Sequence, residues 1–357
     1  QGSFWNDALR QEFTYTTNTG QEQKRTFQFI PINAIGEGTH QWVDYNGNGL
    51  QELDEFVEAQ RPEDRRFIKI FTPTAEFITA YSNLLNYRLN LTAPVNWQSR
   101  GGILPVLARF SLLTSLTADQ KTLSNKPSNK FLPSGFNLSD EVVSANRVLR
   151  NTVFWNRTQS NVGGEYSFLG SQQKTLLSNG FSLRSIEEHR LSVRKNLSSY
   201  LNLSLNAVRS FRSLKSDALV SQNYRISVLE LGPEVSFQPS NSQRFSLSGV
   251  WSQRNNYQGE ERANLLKIGL EYRYNQLNNR TLNAFFRLTK IENTGNLLSP
   301  ASYEMLEGLL PGNNLTLTLN VQQKLTQGLQ LLLTYEGRKS EGIKLIHLGK
   351  MQANLLF

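Results

Sequence analysis

A two-residue alternation of apolar and polar side chains constrains this chain more than any other feature of its sequence. In segment 266–274 the even positions are Leu, Ile, Leu, Tyr and Tyr, and the odd positions are Lys, Gly, Glu and Arg. Side chains on a strand point to opposite faces in turn, so this segment predicts a strand with one apolar and one polar face. The helical spacing i, i+3, i+4 does not fit. The same alternation recurs at 87–91, 201–207, 245–249, 282–288 and 315–322.

The number of such segments predicts an all-β fold, a transmembrane antiparallel β-barrel. Short turns such as 326–328 alternate with longer loops such as 338–342, as in outer-membrane barrels. Between residue 66 and the C-terminus we expect roughly 14 strands, uncertain by about two. A soluble β-sandwich is the alternative, but it would be unusually large. Aromatic residues near expected strand ends resemble the girdles at membrane interfaces: Trp155, Tyr166, Trp251, Tyr274 and Tyr335.

The last strand strengthens the membrane prediction. Counting back from the C-terminus, Phe357, Leu355, Ala353 and Met351 lie on one face of an alternating strand. A terminal Phe in this setting resembles the signal by which bacterial outer-membrane proteins are recognised for assembly. The resemblance implies the cell outer membrane of a Gram-negative bacterium as the location. It also implies two partners, outer-membrane lipid and the barrel-assembly machinery, the latter through Phe357.

Composition and charge exclude several classes of site and partner. The chain has no Cys and three His (His40, His189 and His347), which excludes thiolate metal sites and disfavours a multi-His centre. Residues 1–65 hold eleven acidic and five basic residues, a net charge of −6. Since the whole chain has a net charge of +9, residues 66–357 carry +15. The basic residues are scattered rather than arranged in a stripe, so no nucleic-acid partner is expected.

Segment 44–55 has the residue pattern of an EF-hand calcium loop. It reads DYNGNGLQELDE, which matches D-x-[DN]-x-[DN]-G-x5-E at every fixed position. Calcium binds six to eight oxygen atoms around a tight loop, and Gly49 supplies the sharp turn. A calcium ion with a structural role is predicted, weakly bound because few ligands are carboxylates. The alternative is an Asn-Gly-rich surface turn without metal. The expected ligands are Asp44, Asn46, Asn48, the Leu50 carbonyl, Glu52 and Glu55.

The sequence predicts two regions and one long loop. Residues 1–65 are expected to form an acidic N-terminal module that contains the EF-hand-like loop, and residues 66–357 to form the barrel. Segment 118–145 is the longest stretch without alternation and is rich in Ser, Asn, Lys and Pro. Loops this long are usually functional or disordered. We expect it to act as a gate or a docking element.

A family resemblance covers the neighbourhood of the calcium-like loop. Segment 36–43, GEGTHQWV, leads into the loop, and segment 66–74, RFIKIFTPT, follows it. These segments resemble a region just before the C-terminal barrel strands of large, mostly uncharacterised outer-membrane proteins of Bacteroidota. The resemblance spans roughly residues 36–75. It implies that the chain is the C-terminal part of a longer surface or envelope protein, and it implies no defined activity.

Enzymatic function is not expected. No G-x-S-x-G elbow, P-loop or dinucleotide motif occurs, and a Ser–His–acid set built on His189 has no support in the sequence. Two roles remain open. We favour a membrane anchor or a subunit of a cell-envelope complex, with envelope-complex proteins as partners. The alternative is an open pore or transporter for small or anionic solutes, with cations lining the lumen: Arg88, Arg194, Lys267, Arg273 and Arg287.

Overall fold

The computed structural model describes residues 2–5, 8–123, 138, 141–158, 161–178, 180–277, 279–325 and 328–355. These residues form a single sheet of 17 antiparallel strands. The strands are β1 (Gly2–Phe4), β2 (Leu9–Pro31), β3 (His40–Trp42), β4 (Phe56–Glu58), β5 (Phe67–Thr92), β6 (Phe110–Thr122), β7 (Val142–Trp155), β8 (Val162–Leu177), β9 (Gly180–Asn196), β10 (Leu201–Ser216), β11 (Tyr224–Ser240), β12 (Gln243–Asn256), β13 (Arg262–Gln276), β14 (Arg280–Thr294), β15 (Gly312–Lys324), β16 (Leu329–Ser340) and β17 (Ile346–Leu355).

The long strands pair in chain order. β2 pairs with β5 from Leu9 opposite Leu91 to Pro31 opposite Phe67. From β5 onward each strand pairs with the next, ending with β16 and β17. Lys350 on β17 reaches Glu37, just after β2, with 3.4 Å between Nζ and Oε1. The last strand, β17, therefore returns to the neighbourhood of β2, the first long strand, as in a barrel.

Among the described residues, helices are few and short. The α-helices there are α1 (Leu104–Leu107) and α2 (Pro300–Met305). No helix in the described ranges is long and apolar enough to cross a membrane. Single 3₁₀ turns occupy Leu53–Glu55, Pro62–Asp64, Val95–Trp97 and Val220–Gln222.

The alternation in sequence becomes an alternation between the two faces of the sheet. On β13, Leu266 and Ile268 are 51 and 49 % exposed, whereas Leu265 and Lys267 between them are 1 and 9 % exposed. Leu266 therefore faces outward and Leu265 inward, and the register carries these directions to the neighbouring strands. Large exposed apolar side chains occupy outward positions across the wall: Leu191, Val193, Leu205, Leu229, Leu231, Val235, Phe245, Leu247, Leu288, Leu317 and Met351. A continuous apolar outer face over a mostly polar inner face is the pattern of an outer-membrane barrel.

The predicted barrel is confirmed, with corrections to its boundaries. In the described part of the chain, thirteen strands, β5 to β17, follow residue 66, within the predicted range. The expected division at residue 65 is wrong because β2, a full barrel strand, lies before it. The segment inserted in the sheet is 32–66. The predicted loop 118–145 is also too long, since β6 extends to Thr122 and β7 begins at Val142. Within that loop, residues 124–137 and 139–140 lie outside the described residues. The C-terminal Phe357 also lies outside them.

Connections of different length gather at the two ends of the barrel. One end, called here the loop end, holds 32–66 and 295–311, together with the end of β6 and the start of β7. The opposite end, called the turn end, holds tight turns such as 241–242, together with the start of β2 and the end of β17. Connection 93–109, which contains α1, is the long exception at the turn end. Insertions 32–66 and 295–311, which form the site described below, both start from the loop end.

Candidate functional site: a plug in the barrel

Segments 32–66 and 295–311 pack together inside the loop end and are called here the plug. The backbone N–H of Gln60 donates to the Tyr303 hydroxyl at 2.9 Å, and its side-chain amide donates to Glu304 Oε2 at 2.7 Å. Arg61 Nε donates to the Glu307 carbonyl at 3.0 Å. The plug is thus assembled from two insertions that lie far apart in the sequence.

Glu307 joins the plug to the inner wall at β12 and β13. Its Oε1 lies 2.6 Å from Arg254 Nη2 and 2.6 Å from Lys267 Nζ. Arg254 also donates to the Met305 carbonyl at 2.7 Å and pairs with Glu230 on β11 at 2.8 Å. Burial alone would raise the pKa of Glu307, but Arg254 and Lys267 outweigh it and hold that pKa far below its ordinary value.

Further ion pairs tie the plug to strands on other sides of the barrel. Arg338 Nε on β16 lies 2.7 Å from Glu63 Oε1, and its Nη1 donates to the Gly308 carbonyl at 2.9 Å. Arg212 on β10 pairs with Glu304 at 3.1 Å. Glu58 pairs with Arg184 on β9, and Glu37 pairs with Lys350 on β17. Because these contacts reach β9, β10, β12, β13, β16 and β17, the wall wraps around the plug.

Apolar packing reinforces the ion pairs beside α2. Ser299 caps this helix by accepting from the Ser302 N–H at 3.1 Å, and Pro300 occupies a position that needs no donor. Met305 is then 1 % exposed, against Leu265 and Ile291 of the inner wall. Because the contact removes apolar side chains of both the helix and the wall from water, it stabilises the plug against the wall. The complete cluster is Tyr224, Ile226, Val228, Ala263, Leu265, Ile291, Ala301, Met305, Leu306 and Leu309.

The calcium-like loop lies in the plug and winds around Asp44. Asp44 Oδ1 accepts from the N–H groups of Gly47 at 2.7 Å and Asn48 at 3.2 Å, and Oδ2 accepts from Gly49 at 2.9 Å. Gly47 and Gly49 have φ of +73° and +72°, where a side chain would be strained. Asn46 Oδ1 and Asn48 Oδ1 accept from the N–H groups two residues later at 2.9 and 2.6 Å. The motif positions thus form a tight, repeated turn.

The second half of the loop brings Glu52 and Glu55 to it. Asn46 Nδ2 donates to Glu52 Oε2 at 2.6 Å. Glu55 is 2 % exposed; its Oε2 accepts from Trp42 Nε1 at 2.8 Å, whereas its buried Oε1 has no hydrogen-bond partner among the described residues. Leu50 is exposed. In the described part of the chain, no three His, Asp or Glu side chains cluster closely enough to hold a metal ion by themselves. Amide and backbone oxygens would have to complete any site.

The loop differs from an EF-hand in its flanks. The short strands β3 and β4 precede and follow it and pair with each other, with Trp42 opposite Phe56. Phe56 stacks on Phe29 with ring centroids 4.3 Å apart, so the hairpin is fixed to β2. His40 on β3 is largely buried, and burial together with the charge of Lys69 lowers its pKa to about 4. It is therefore neutral at physiological pH.

The other two His residues lie at outward positions of β9 and β17. His189 Nδ1 lies 2.8 Å from the Tyr166 hydroxyl, and its Nε2 lies 3.3 Å from Glu187 Oε1. His347 Nδ1 lies 2.7 Å from the Tyr335 hydroxyl. Tyr and Glu, rather than Ser, hold the His189 ring, so the geometry gives no support to a Ser–His–acid set.

The five predicted lumen cations all occupy inward positions, where several have partners that reduce their attraction for anions. Lys267 pairs with Glu307, Arg273 with Glu271 at 2.7 Å, and Arg88 with Glu12 at 3.8 Å. Arg287 lies over the Phe285 ring at 4.6 Å from the centroid. Arg194 Nη2 donates to the Arg157 carbonyl at 3.0 Å.

No protein-family model and no curated protein matches the sequence. Among solved structures, outer-membrane expressed OmpT of Vibrio cholerae is similar over 95 % of this chain and 89 % of that chain, with 7 % identity and a TM-score of 0.40. Its loop-deletion mutant matches over 98 % and 99 %, with 9 % identity and a TM-score of 0.42. A triple mutant of the Rhodopseudomonas blastica porin matches over 95 % and 100 %, with 8 % identity and a TM-score of 0.26. Scores this low carry no argument about this chain's function.

Sequence reasoning missed the second half of the plug. Sequence analysis assigns no element to segment 295–311, yet the segment contains α2 and four side chains of the buried cluster, Ala301, Met305, Leu306 and Leu309. The Ser299-Pro300 pair is a helix-start pattern, and Leu306 and Leu309 are too apolar for a solvated loop. These two features together were the available indication.

Proposed function

We propose that this chain is an outer-membrane β-barrel that acts as an anchor or subunit of a cell-envelope complex, with its lumen closed by the plug. The observation that carries the proposal is the set of ion pairs through which Glu58, Glu63, Glu304 and Glu307 bind the inner wall. An open pore needs a continuous water-filled path, whereas this plug binds strands on several sides of the barrel. The alternative, a pore for small or anionic solutes, would require the plug to move.

The apolar outer face supports a membrane location. Exposed Leu, Ile, Val and Phe side chains at outward positions from β9 to β17 would be unfavourable in water, and hydrocarbon would cover them. In outer-membrane barrels the long loops face the outside and the short turns face the periplasm. By that rule the loop end, and with it the plug, lies at the cell surface.

A conductance experiment separates anchor from pore. The purified barrel, first checked by a heat-dependent gel shift, is inserted in a planar bilayer, where the wild type is expected to show no sustained current. The double variant Glu63→Gln/Glu307→Gln removes plug charges that bind Arg338, Arg254 and Lys267, and should produce frequent openings. The control, Glu234→Gln/Glu271→Gln, removes pairs within the wall and should remain closed. A large, steady wild-type conductance would favour the pore.

We also propose that the loop 44–55 binds a calcium ion that stiffens the plug. The residues fit such an ion: the carboxylate and amide oxygens of Asp44, Asn46, Asn48, Glu52 and Glu55 and the Leu50 carbonyl are the hard ligands calcium prefers. Support comes from the tight turn around Asp44 and from the buried Glu55 oxygen, which has no donor among the residues that the structure describes. A bound cation would compensate the cost of that buried charge.

The resemblance to Bacteroidota envelope proteins motivates a further part of the proposal. The chain would form the C-terminal part of a longer surface protein, delivered to the membrane by assembly machinery that recognises Phe357. Replacing Phe357 with Ala should reduce the amount of folded barrel in the outer membrane several-fold. Unchanged assembly of this variant would argue against recognition through the terminal residue.

A further inference from the structure

A cavity of about 440 Å³ lies between the plug, the paired strands β2 and β5, and the inner wall of β8 to β11. Phe29 on β2 and Phe71 on β5 line it, together with Phe56 from the plug and Tyr224 from the wall. Its volume is within the range of about 300–1,000 Å³ that is usual for small-molecule sites. Aromatic side chains thus meet there from three separate parts of the fold.

One cation in the cavity lacks an acidic partner. Lys69 Nζ lies 4.1 Å from the centroid of the Phe27 ring, 5.4 Å from that of Phe71 and 5.7 Å from that of Phe29. Among the described residues no Asp or Glu forms an ion pair with it. An ammonium over aromatic faces is attracted by them, but it keeps its capacity to donate hydrogen bonds to an anion.

The other charges of the cavity compensate one another. Arg184 pairs with Glu58, and Glu304 pairs with Arg212 just outside. His40 is neutral at pH 7, since its pKa is lowered to about 4. The described lining therefore carries a single uncompensated positive charge, beside apolar rings.

We propose that this cavity binds a small organic monoanion, whose carboxylate pairs with Lys69 while an aromatic or aliphatic body packs against Phe29, Phe56 and Phe71. The combination of one uncompensated charge with the rings of Phe29, Phe56 and Phe71 favours such an amphipathic molecule over an inorganic ion. The proposal does not depend on whether the barrel is an anchor or a pore.

The test is calorimetric titration of the detergent-solubilised full chain with 2-naphthoate and its neutral amide. Lys69→Met keeps the aliphatic stem and removes the charge, and Lys324→Met, an exposed position outside the cavity, is the control. We expect naphthoate to bind wild type and Lys324→Met alike, at least tenfold more weakly to Lys69→Met, and the amide to bind weakly to all three. The heat-dependent gel shift confirms that each variant is folded.

Two results would overturn the proposal. Equal naphthoate affinity for wild type and Lys69→Met would mean that the probe enters the micelle or another site. An absence of measurable binding up to millimolar naphthoate would mean that the cavity does not take this class of ligand. Titration with inorganic phosphate tests the role of the apolar body: phosphate binding as tight as that of naphthoate would also contradict the proposal. Failure here leaves the conductance result untouched, so the two proposals are tested separately.

Discussion

Arg254 of the wall and Glu307 of the plug meet inside the barrel with 2.6 Å between Nη2 and Oε1. Arg254 is only 3 % exposed, and the same carboxylate also neutralises Lys267. Without Glu307, this buried guanidinium would keep Glu230 as its one carboxylate partner among the described residues, and part of its desolvation cost would be uncompensated. The pair is therefore one of the contacts that must break before the plug can leave the wall.

Replacing Glu307 with Gln should loosen the plug and destabilise the fold. Two buried cations would share one fewer carboxylate, and we expect a loss on the order of 2 kcal/mol, below the ~3–5 kcal/mol of a fully buried pair because Glu307 is partly exposed. The midpoint of the heat-dependent gel shift measures the change. Glu292→Gln, which removes an exposed pair with Lys290, should leave the midpoint unchanged. Equal midpoints for Glu307→Gln and wild type would contradict a structural role for the pair.

Acid should weaken the plug through His40. Unfolded His40 takes up a proton near pH 6.5, whereas the folded residue does so only near pH 4. Between these values the unfolded state holds more protons, so stability falls as the pH is lowered through this window. His40→Asn should remove a slope of up to about 1.4 kcal/mol per pH unit. Melts from pH 7 to pH 4 measure it, with Gln41→Ala as the neighbouring control; an unchanged slope in His40→Asn would refute the assignment.

Calcium should stabilise the wild type and not a variant that lacks the first ligand. We expect a higher melting midpoint in millimolar calcium than in chelator, and no difference for Asp44→Asn, because the central carboxylate of the turn is lost. Gln51→Asn, at a loop position without a ligand role, should respond like wild type. Identical wild-type melts with calcium and with chelator would remove the calcium proposal.

A charge on the outer face should impair membrane insertion. Ile268 faces outward near the middle of β13, and Arg at such a position costs about 2–4 kcal/mol at the bilayer midplane. Ile268→Arg should therefore lower the fraction of heat-modifiable barrel after refolding into vesicles. Asn320→Arg, on the inner face of β15, should refold like wild type. Normal insertion of Ile268→Arg would mean that this face does not contact lipid.

The sequence predicted the wall of the barrel much better than its contents. Alternation is a local property, so segment 266–274 identifies both its strand and its outward side chains, and the five predicted girdle aromatics indeed occupy outward positions. The plug depends instead on contacts between distant residues. Arg254 looks like any other inward arginine until Glu307 is placed beside it. Likewise, the division at residue 65 failed because the acidity of residues 1–65 hides the regular β2.

The two-part plug also dictates a kinetic order. Gln60 and Glu304 are separated by 244 residues, and closing so long a loop costs entropy that no local contact repays. Segment 32–66 must wait, with Glu58 and Glu63 uncompensated, until β9, α2 and β16 have come into place. Docking of the plug against the wall is therefore expected to be a late event in folding, after nearly all of the wall strands have formed.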